Sequence, residues 1–353
     1  MSLWPVQPFD PATASDGDLA GVHALEVALE TEALPDEPVA PLEHTVARLR
    51  HVYPFRVWKA WIVRQGGAHG EIAAFASCSY SDLPENRHHA DVHVSVHPSV
   101  RGMGLGSSLL GRVVETARRW GCTVLDSAAR VGGPGEPFRR SVGAERRLVD
   151  RRSRCRTAEI GRDLLEGWVR RVGERAAGYS LVAWDGPCPE ELLAPFVALK
   201  AVMNTAPLEA LEWDDERLTV EQWREVEATN AARGYEWWPV CARHDDSGEL
   251  AGYTELDLPA TWPQIAYQGD TGVWPKYRDR GLGRWLKAVN ALRLLDERPA
   301  VEFIETWNAG SNQAMLGINE AMGFRPLENW GSWQARTDVV AEALRRRRRL
   351  QAS

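Results

Sequence analysis

The sequence predicts an α/β protein in which two similar units, each a mixed layer of strands and helices, follow one another. Three observations support this prediction. The chain has 353 residues and 44% hydrophobic content, enough for two domains of ordinary size. The stretch 96–107 occurs again, without a gap, at 273–284. The order of strands and helices around the two copies also repeats.

In the first unit, two helices are predicted within residues 15–50, separated by the proline-rich segment 33–41. A helix is predicted over 109–120. A glycine-rich turn at 65–70 joins two antiparallel strands. The predicted strands of this unit are 57–63, 71–78, 90–96, 123–127 and 145–153.

Apolar residues at helical spacing predict a bridging helix over 159–176. We place the boundary near 175, which divides the chain into domains 1–175 and 176–353. The second domain is predicted to hold helices at 189–203 and 219–233. Its predicted strands are 179–184, 239–243 and 248–259.

In each copy of the repeat, a strand leads into a glycine-rich loop, and a helix follows. The loops are Arg101-Gly-Met-Gly-Leu-Gly106 and Arg278-Asp-Arg-Gly-Leu-Gly283. Glycines allow the backbone to approach a ligand closely, and the first N–H groups of the helix point at that ligand. With the helix dipole, this makes an anion cradle suited to a pyrophosphate. Neither copy has the Gly-Lys-Ser/Thr of a P-loop, and both depart from the dinucleotide fingerprint.

The pattern Arg-x-x-Gly-x-Gly resembles the CoA pyrophosphate loop of the GNAT superfamily of acyl-CoA-dependent N-acyltransferases. Because both copies match, the chain resembles two-domain, mycothiol synthase-like enzymes. The resemblance implies two tandem GNAT domains, each with a mixed, mostly antiparallel central sheet flanked by helices. It also implies acetyl-CoA as cofactor. The residues implied to bind it are Val96, Arg101, Gly102, Met103, Gly104, Gly106, Ser107, Val273, Arg278, Arg280, Gly281, Leu282, Gly283, Arg284 and Asn312.

The segment 312–324 of the second unit resembles the GNAT segment near the thiol end of CoA. Family members often have a tyrosine where Asn319 stands, as proton donor to the departing thiolate. An asparagine amide can only hydrogen-bond the sulfur, so we assign Asn319 to orienting it. In the first unit, Gly132 and Arg139 stand at the places of Asn312 and Asn319. We therefore predict that the second unit carries the reaction.

Acyl transfer to an amine needs a neutral amine beside the thioester, and a base removes its proton. Glu255 is the first candidate because it lies on an otherwise apolar strand, where desolvation would raise its pKa. Asp270 and Glu305 are the alternative candidates for the base. Each of these carboxylates is also explained by a structural or solvent-facing role. Polar residues alternate onto one strand face of the first unit, as solvent exposure would also produce: Asp91, His93 and Ser95.

Ten of the sixteen tryptophans lie between Trp213 and Trp333, and most are expected in the core. The segments 235–239 and 261–264 are polar and turn-like, so their tryptophans are candidates for the wall of an amine pocket. The arginine run 345–349 is expected to be a solvated helix end.

Composition narrows the class of protein. A formal charge of −7 argues against a general nucleic-acid binder, and no apolar run reaches the ~20 residues of a membrane span. The N-terminus lacks the pattern of a signal peptide. Five scattered cysteines indicate free thiols of a cytoplasmic protein, with neither disulfides nor a metal site.

The leading hypothesis is a monomeric or dimeric enzyme that moves an acetyl or short acyl group to an amine of a small molecule. Two alternatives stay open. The acceptor is a protein or peptide amine, or the chain is a non-catalytic acyl-CoA-binding or sensing protein.

Overall fold

The computed structural model of the protein describes residues 4–67 and 70–352. Residues 68 and 69 of the predicted turn therefore lie outside the described residues, as do 1–3 and 353. The chain forms two compact units. The first contains Met1–Leu148, Ala210–Glu212 and Gly331–Ser353, and the second contains Val149–Glu209 and Trp213–Trp330. These units are defined by contacts within the structure. The predicted boundary between two folding domains near residue 175 stays a prediction.

The helices and strands follow the predicted order. Within residues 6–140 the elements are β1 Val6–Phe9, α1 Asp16–Ala33, α2 Leu42–Arg50, β2 Arg56–Arg64, β3 Ile72–Ser81, β4 His89–Val96, α3 Leu105–Arg119, β5 Val124–Arg130 and α4 Gly135–Arg140. Those that follow are β6 Glu145–Arg156, α5 Arg162–Arg175, β7 Tyr179–Ala183, α6 Glu190–Lys200, α7 Val220–Ala232, β8 Tyr235–His244, β9 Leu250–Pro259, β10 Ile265–Val273, α8 Leu282–Glu297, β11 Phe303–Ala309, α9 Gln313–Met322, β12 Arg325–Arg336 and α10 Thr337–Ala352.

Each unit has a mixed, mostly antiparallel sheet, as predicted. In the first unit the strand order is β1-β2-β3-β4-β5, followed by the end of β12. Its parallel pair is β4 with β5, and β1 to β4 pair antiparallel. In the second unit the order is β6-β11-β10-β9-β8-β7, with β10 and β11 parallel. A parallel pair needs a crossover connection, which α3 and α8 supply.

The core of the first unit forms where α3 packs on β3 and β4. Leu109 and Val113 lie four residues apart on one face of α3 and are fully buried. Val340 and Leu344 of α10 join the same cluster, so the last helix of the chain completes this core. Each fully buried aliphatic side chain contributes roughly 1.5–3 kcal/mol.

The structure differs from the sequence prediction at the start of α3 and in the tryptophan segment 235–239. Helix α3 begins at Leu105 instead of 109, because Gly104 forms its N-cap in the left-handed conformation. Residues 235–239 belong to β8 instead of a turn. Trp237 and Trp238 are both buried and join different clusters. Successive side chains point to opposite faces of a strand, so adjacent tryptophans fit a strand whose two faces are covered.

All five cysteines are free and buried. None of the helices in the described part of the chain is long and apolar enough to cross a membrane.

Candidate functional site

The second glycine-rich loop starts helix α8 with a backbone conformation that favours glycine. A short 3-10 turn, Pro275–Tyr277, precedes Arg278, and Gly281 is the N-cap of α8 with a φ of 81°. No side chain among the described residues caps this helix start. A Cβ atom built on Gly281 would meet nothing within 4 Å. The first N–H groups of α8 therefore face open space, as an anion site requires.

The first loop has the same backbone path. Gly104 is the N-cap of α3 with a φ of 83°, and a Cβ atom there would also meet nothing within 4 Å. Gly102 has a φ of 81°, and Asp279 at the matching place of the second loop has a φ of 63°. A non-glycine residue seldom takes this conformation, although aspartate does so more readily than most. The loop geometry therefore repeats even where the residue differs.

The two loops differ in how their arginine is paired. Arg278 and Arg101 each donate through Nε to the last carbonyl of the preceding strand, at 2.9 and 3.3 Å. Arg278 then donates to the neutral Thr205 hydroxyl at 2.6 Å. Arg101 instead donates two bonds to the Glu32 carboxylate, at 2.7 and 2.6 Å. The Glu32 carboxylate compensates the positive charge of Arg101, whereas the contact with the Thr205 hydroxyl does not compensate that of Arg278.

The strands that lead into the loops separate from their parallel neighbours. β10 pairs with β11 from Ile265 as far as Tyr267, opposite Glu305, yet continues to Val273 alongside β9. β4 pairs with β5 only as far as Asp91, opposite Asp126. Each unit therefore has a wedge between two diverging strands, which ends at the glycine loop. Backbone groups along such a wedge are available to an extended ligand.

A bulge in β10 lies beside the wedge of the second unit. The register of β9 and β10 shifts between Gln268 and Thr271, so Asp270 lies within the irregular segment. The Gln268 amide donates to the Glu255 carbonyl oxygen at 2.8 Å and holds this segment. Bulges re-aim side chains, and here Asp270 reaches the side chain of Lys200. In the first unit, β3 and β4 pair regularly.

Glu255 and Asp270, two of the predicted bases, meet at the Lys200 ammonium group. Lys200 Nζ donates to Glu255 Oε1 at 3.0 Å and to Asp270 Oδ2 at 2.8 Å. Burial raises the pKa of Glu255, and the Lys200 charge opposes that rise. The pKa of Asp270 is lowered: burial opposes this, and the charge and hydrogen bond of Lys200 outweigh it. Asp270 therefore stays ionised, whereas Glu255 is poised to exchange a proton nearer neutrality.

Asp257 is a third carboxylate of this cluster, and the sequence prediction missed it. It lies two residues after Glu255 on β9, on the same strand face. A Cβ atom on Gly269 would lie 3.1 Å from Glu255 Oε1 and 3.4 Å from Asp257 Oδ2. Burial, followed by the Glu255 charge, raises the pKa of Asp257 to about 8. The alternation of carboxylates along the strand was the available sequence indication.

Aromatic side chains surround the Lys200 ammonium group. Its Nζ atom lies 4.7 Å from the ring centre of Tyr253 and 5.1 Å from that of Trp223. Trp237 Nε1 donates to Glu255 Oε2 at 3.2 Å, and the Tyr253 hydroxyl donates to Asp270 Oδ2 at 2.9 Å. Of the predicted pocket tryptophans, Trp237 therefore contacts the carboxylate cluster. This arrangement stabilises a cation at the centre of the cluster.

Glu305, the third predicted base, is held in a buried ion-pair network. It is 1% exposed, and Arg152 and Arg154 both donate to its carboxylate. Arg152 also pairs with Glu328 at 2.8 Å. The two guanidinium groups already hydrogen-bond the carboxylate oxygens that would have to accept a proton from the substrate. The contacts therefore give Glu305 a structural role.

The segment that follows β11 places Asn312 and Asn319 on α9. Asn312 is the N-cap of α9, and its side chain accepts from Met315 N at 3.3 Å. Asn319 is 1% exposed and donates through Nδ2 to Asn308 Oδ1 at 2.7 Å. Its Oδ1 atom has no hydrogen-bond partner among the described residues. A Cβ atom on Gly283 would lie 3.8 Å from the Ile318 side chain, so α9 packs beside the loop.

In the first unit, Arg139 is bound to β5 beside the wedge. Its guanidinium donates to Ser127 Oγ at 3.0 Å, to the Ala128 carbonyl and to the Gly135 carbonyl at 3.3 Å. Burial lowers its pKa to about 10. Ser127 and Ala128 follow directly after the last residue of β5 that pairs with β4. The side chain at the tyrosine position of this unit is therefore bound to β5 just beyond the point where β4 and β5 cease to pair.

Side chains also cover the first loop itself. Arg347 donates to Ser107 Oγ at 3.2 Å, and its guanidinium lies 5.5 Å from the Phe138 ring centre. A Cβ atom on Gly106 would lie 3.6 Å from that same ring. The expectation that 345–349 is only a solvated helix end is therefore wrong for Arg347.

The polar side chains predicted to share one face of a strand, Asp91, His93 and Ser95, lie on β4 of the first unit. His93 Nε2 lies 2.6 Å from Ser95 Oγ, and burial lowers the pKa of His93 to about 4. The pKa of Asp91 is raised by burial, and the Arg56 charge opposes the rise.

Comparisons with known proteins agree with this geometry. The profile of the Acetyltransferase (GNAT) family matches residues 23–132, which include the first loop. Among solved structures, the chain is similar to a tandem GNAT protein from the clavulanic acid biosynthesis pathway. The two share 28% identity and a TM-score of 0.76, over 95% of this chain and 98% of that one. These two matches support a tandem GNAT superfamily protein.

Two further structures share the fold. A GCN5-related N-acetyltransferase from Sphaerobacter thermophilus is 17% identical, with a TM-score of 0.64 over 96% of both chains. N-myristoyltransferase from Saccharomyces cerevisiae, solved with myristoyl-CoA and inhibitors, is 12% identical, with a TM-score of 0.57 over 95% of this GNAT chain and 80% of that one. No curated protein matches the sequence. Membership of the GNAT superfamily supports acyl-CoA-dependent N-acyltransferase activity in general.

Proposed function

We propose that the second unit of this GNAT protein transfers an acetyl or short acyl group from acyl-CoA to an amine of a small, cationic molecule. The observation that carries the proposal is the cluster in which Glu255 and Asp270 pair with Lys200, with Asp257 beside Glu255. It lies on β9 and β10, beside the wedge that leads to the open start of α8. Asp270 compensates the Lys200 ammonium group, so ionisation of Glu255 leaves a negative charge that favours a second cation.

In the proposed reaction, Glu255 takes a proton from the substrate ammonium group, directly or through water. The neutral amine nitrogen then attacks the thioester carbon. The new C–N bond forms as the C–S bond breaks, and the CoA thiolate takes up a proton as it leaves. Asn319 orients the sulfur through its amide, and backbone N–H groups of β10 polarise the carbonyl. Acetyl-CoA is the proposed donor.

Two contrasts support the choice of the second unit. Arg278 donates to a neutral hydroxyl, whereas Arg101 is paired with Glu32. In the first unit, Arg139 stands at the place of Asn319 and is bound to β5 beside the wedge. We propose that the first loop, through the residues predicted above, binds CoA more weakly or has a regulatory role.

The proposed pyrophosphate site consists of residues from the strand end through the start of α8, with Asn312 beside the thiol end. We propose that these residues bind CoA: Val273, Arg278, Arg280, Gly281, Leu282, Gly283 and Arg284. Arg280 donates to the Tyr179 hydroxyl at 3.0 Å, and its guanidinium lies over that ring. Arg284 lies over the Trp168 ring at 5.8 Å.

The packing around Lys200 favours a small acceptor over a polypeptide. A 3-10 segment, Ala201–Thr205, directly follows α6. Its Val202 side chain packs against Gly272 so closely that a Cβ atom on Gly272 would clash with it. This segment covers β10 next to the carboxylate cluster. A polypeptide acceptor would need more open space there. A cytoplasmic location and a monomeric or dimeric state remain part of the proposal.

The test is CoA release from acetyl-CoA in the presence of a panel of small amines and polyamines. We expect Glu255→Gln to lower kcat/KM at least ~100-fold, a typical loss for a general base. Glu166→Gln is the matched control, because Glu166 is a helix carboxylate whose side chain is 42% exposed and pairs with Arg170 at 3.6 Å. Equal rates for parent and Glu255→Gln would contradict the assigned base.

A second pair of variants separates the units. Gly281→Ala places a methyl group in the cradle and should abolish the activity, whereas Gly104→Ala should leave it within a few-fold. Both substitutions carry the same left-handed strain of roughly 1–2 kcal/mol, so they control for each other. Activity that survives Gly281→Ala and is lost in Gly104→Ala would reverse the assignment. Tight acetyl-CoA binding without turnover on any amine would favour a sensing protein.

A further inference from the structure

We propose that the first unit contains a binding site for a divalent transition metal ion, formed by His88, His89 and Glu212. One ligand atom from each residue lies within 4.8 Å of the others. His88 Nε2 and Glu212 Oε1 are already 3.5 Å apart. Two imidazoles and one carboxylate are a donor set that suits Zn²⁺, with water in the remaining position.

The local backbone brings two consecutive histidines to one side. His88 is the last residue of a turn, and His89 is the first residue of β4. Their ring centres are 4.3 Å apart. Consecutive side chains within a regular strand would point to opposite faces. The turn therefore makes it possible for both rings to bind one ion.

A hydrogen-bond partner orients the buried histidine for this role. His89 is 3% exposed, and its Nδ1 atom lies 2.8 Å from Asp126 Oδ2. A metal ion would therefore bind His89 through Nε2. A carboxylate on the other ring nitrogen is the usual partner of a metal-binding histidine, since it fixes the tautomer and raises the basicity of the ligand.

Gln334 connects this partner to the third ligand. Its Nε2 atom donates to Asp126 Oδ1 and to the Glu212 carbonyl, both at 2.8 Å. Its Oε1 atom accepts from the Glu212 backbone N–H at 2.9 Å. One amide side chain thus holds the backbone of Glu212 and the carboxylate that orients His89. The two histidines and Glu212 come from distant parts of the chain, yet one network positions His89 and Glu212 together.

Exposure supplies an entry path for the ion. The side chains of His88 and Glu212 are 41% and 58% exposed, whereas His89 is buried. An ion could reach the site from solvent without rearrangement of the core. Since Glu212 belongs to the short segment Ala210–Glu212 of the first unit, the ion would also tether that segment.

The test uses the full chain with Zn²⁺ and a chromophoric chelator as competitor, and Co²⁺ as a spectroscopic probe. We expect one Zn²⁺ per chain and visible absorption from bound Co²⁺. His88→Ala and Glu212→Gln should each weaken binding at least ~10-fold, and Asp126→Asn by roughly 10- to 100-fold. His88 and Glu212 are the primary targets because their exposed side chains can be replaced without a core defect.

The controls are His51→Ala and Glu209→Gln, which lie outside the cluster and should bind Zn²⁺ like the parent. Thermal unfolding should show a higher Tm with Zn²⁺ for the parent and a smaller shift for His88→Ala. Absence of stoichiometric binding would overturn the proposal. Binding that is unchanged in both His88→Ala and Glu212→Gln would also overturn it, because the ion would then be held elsewhere.

Discussion

The substitution Lys200→Met removes the ammonium group between Glu255 and Asp270 and keeps an unbranched side chain. Lys200 Nζ lies 2.8 Å from Asp270 Oδ2 and 3.0 Å from Glu255 Oε1. At an effective dielectric constant of ~20, one such pair attracts by about 6 kcal/mol before the cost of desolvation is subtracted. Removing one partner of a buried ion pair typically costs ~3–5 kcal/mol, because the remaining charge is left uncompensated. The second unit should lose that amount.

The expected loss depends on pH, and its sign follows from the pKa shifts. The pKa of Lys200 is well above its usual value: burial opposes this, and the charges of Asp270 and Glu255 outweigh burial. The ammonium group therefore stays charged from about pH 5 to about pH 8. In the variant, burial acts without the opposing Lys200 charge, so we expect both carboxylates to have folded-state pKa values above their unfolded values. Stability is then lost as pH rises, so the variant should be weaker at about pH 8 than at about pH 5.

The measurement is thermal and urea-induced unfolding of the full chain at both pH values. For a unit of this size, we expect a fall in Tm of roughly 6–20 °C. Lys276→Met is the matched control, since Lys276 pairs with Glu249 at 2.7 Å on the surface, where an ion pair contributes about 0–1 kcal/mol. A loss in Lys200→Met no larger than in Lys276→Met, or one independent of pH, would refute the reasoning.

Three further predictions concern buried groups and the helix end. Asp257→Asn should raise the Tm much more at about pH 8 than at about pH 4, because burial raises the pKa of Asp257 to about 8 and the parent therefore loses stability as pH rises from about 4 to about 8; equal shifts at both values would contradict this. Gly323→Ala should destabilise by roughly 1–2 kcal/mol in urea titration, since Gly323 ends α9 with a φ of 103°; a neutral result would contradict it. The native protein should show no thiol that reacts rapidly with a chromogenic disulfide, and five after denaturation, because all its cysteines are buried.

The sequence by itself determined the two loops and the elements around them. An anion cradle at a helix start depends on local residues: glycines that accept a positive φ and a helix that begins directly after them. Gly104 and Gly281 meet both conditions. Because the stretch is repeated, the interpretation of each loop supports that of the other. The strands also followed from local patterns, because burial of one face imposes alternation. The tandem GNAT fold was therefore predictable.

The tertiary structure decided which side chains meet. Lys200 reaches carboxylates that lie 55 and 70 residues away, and Glu212 approaches histidines from another part of the chain. The composition of each unit also depended on it, because residues 331–353 complete the first unit. Contacts of this kind depend on how α6 and the turns pack on the sheet, and sequence periodicity reports only which face of an element is buried. For this reason the cradle was visible in the sequence, whereas the partners of Glu255 and Glu305 became visible only in the folded chain.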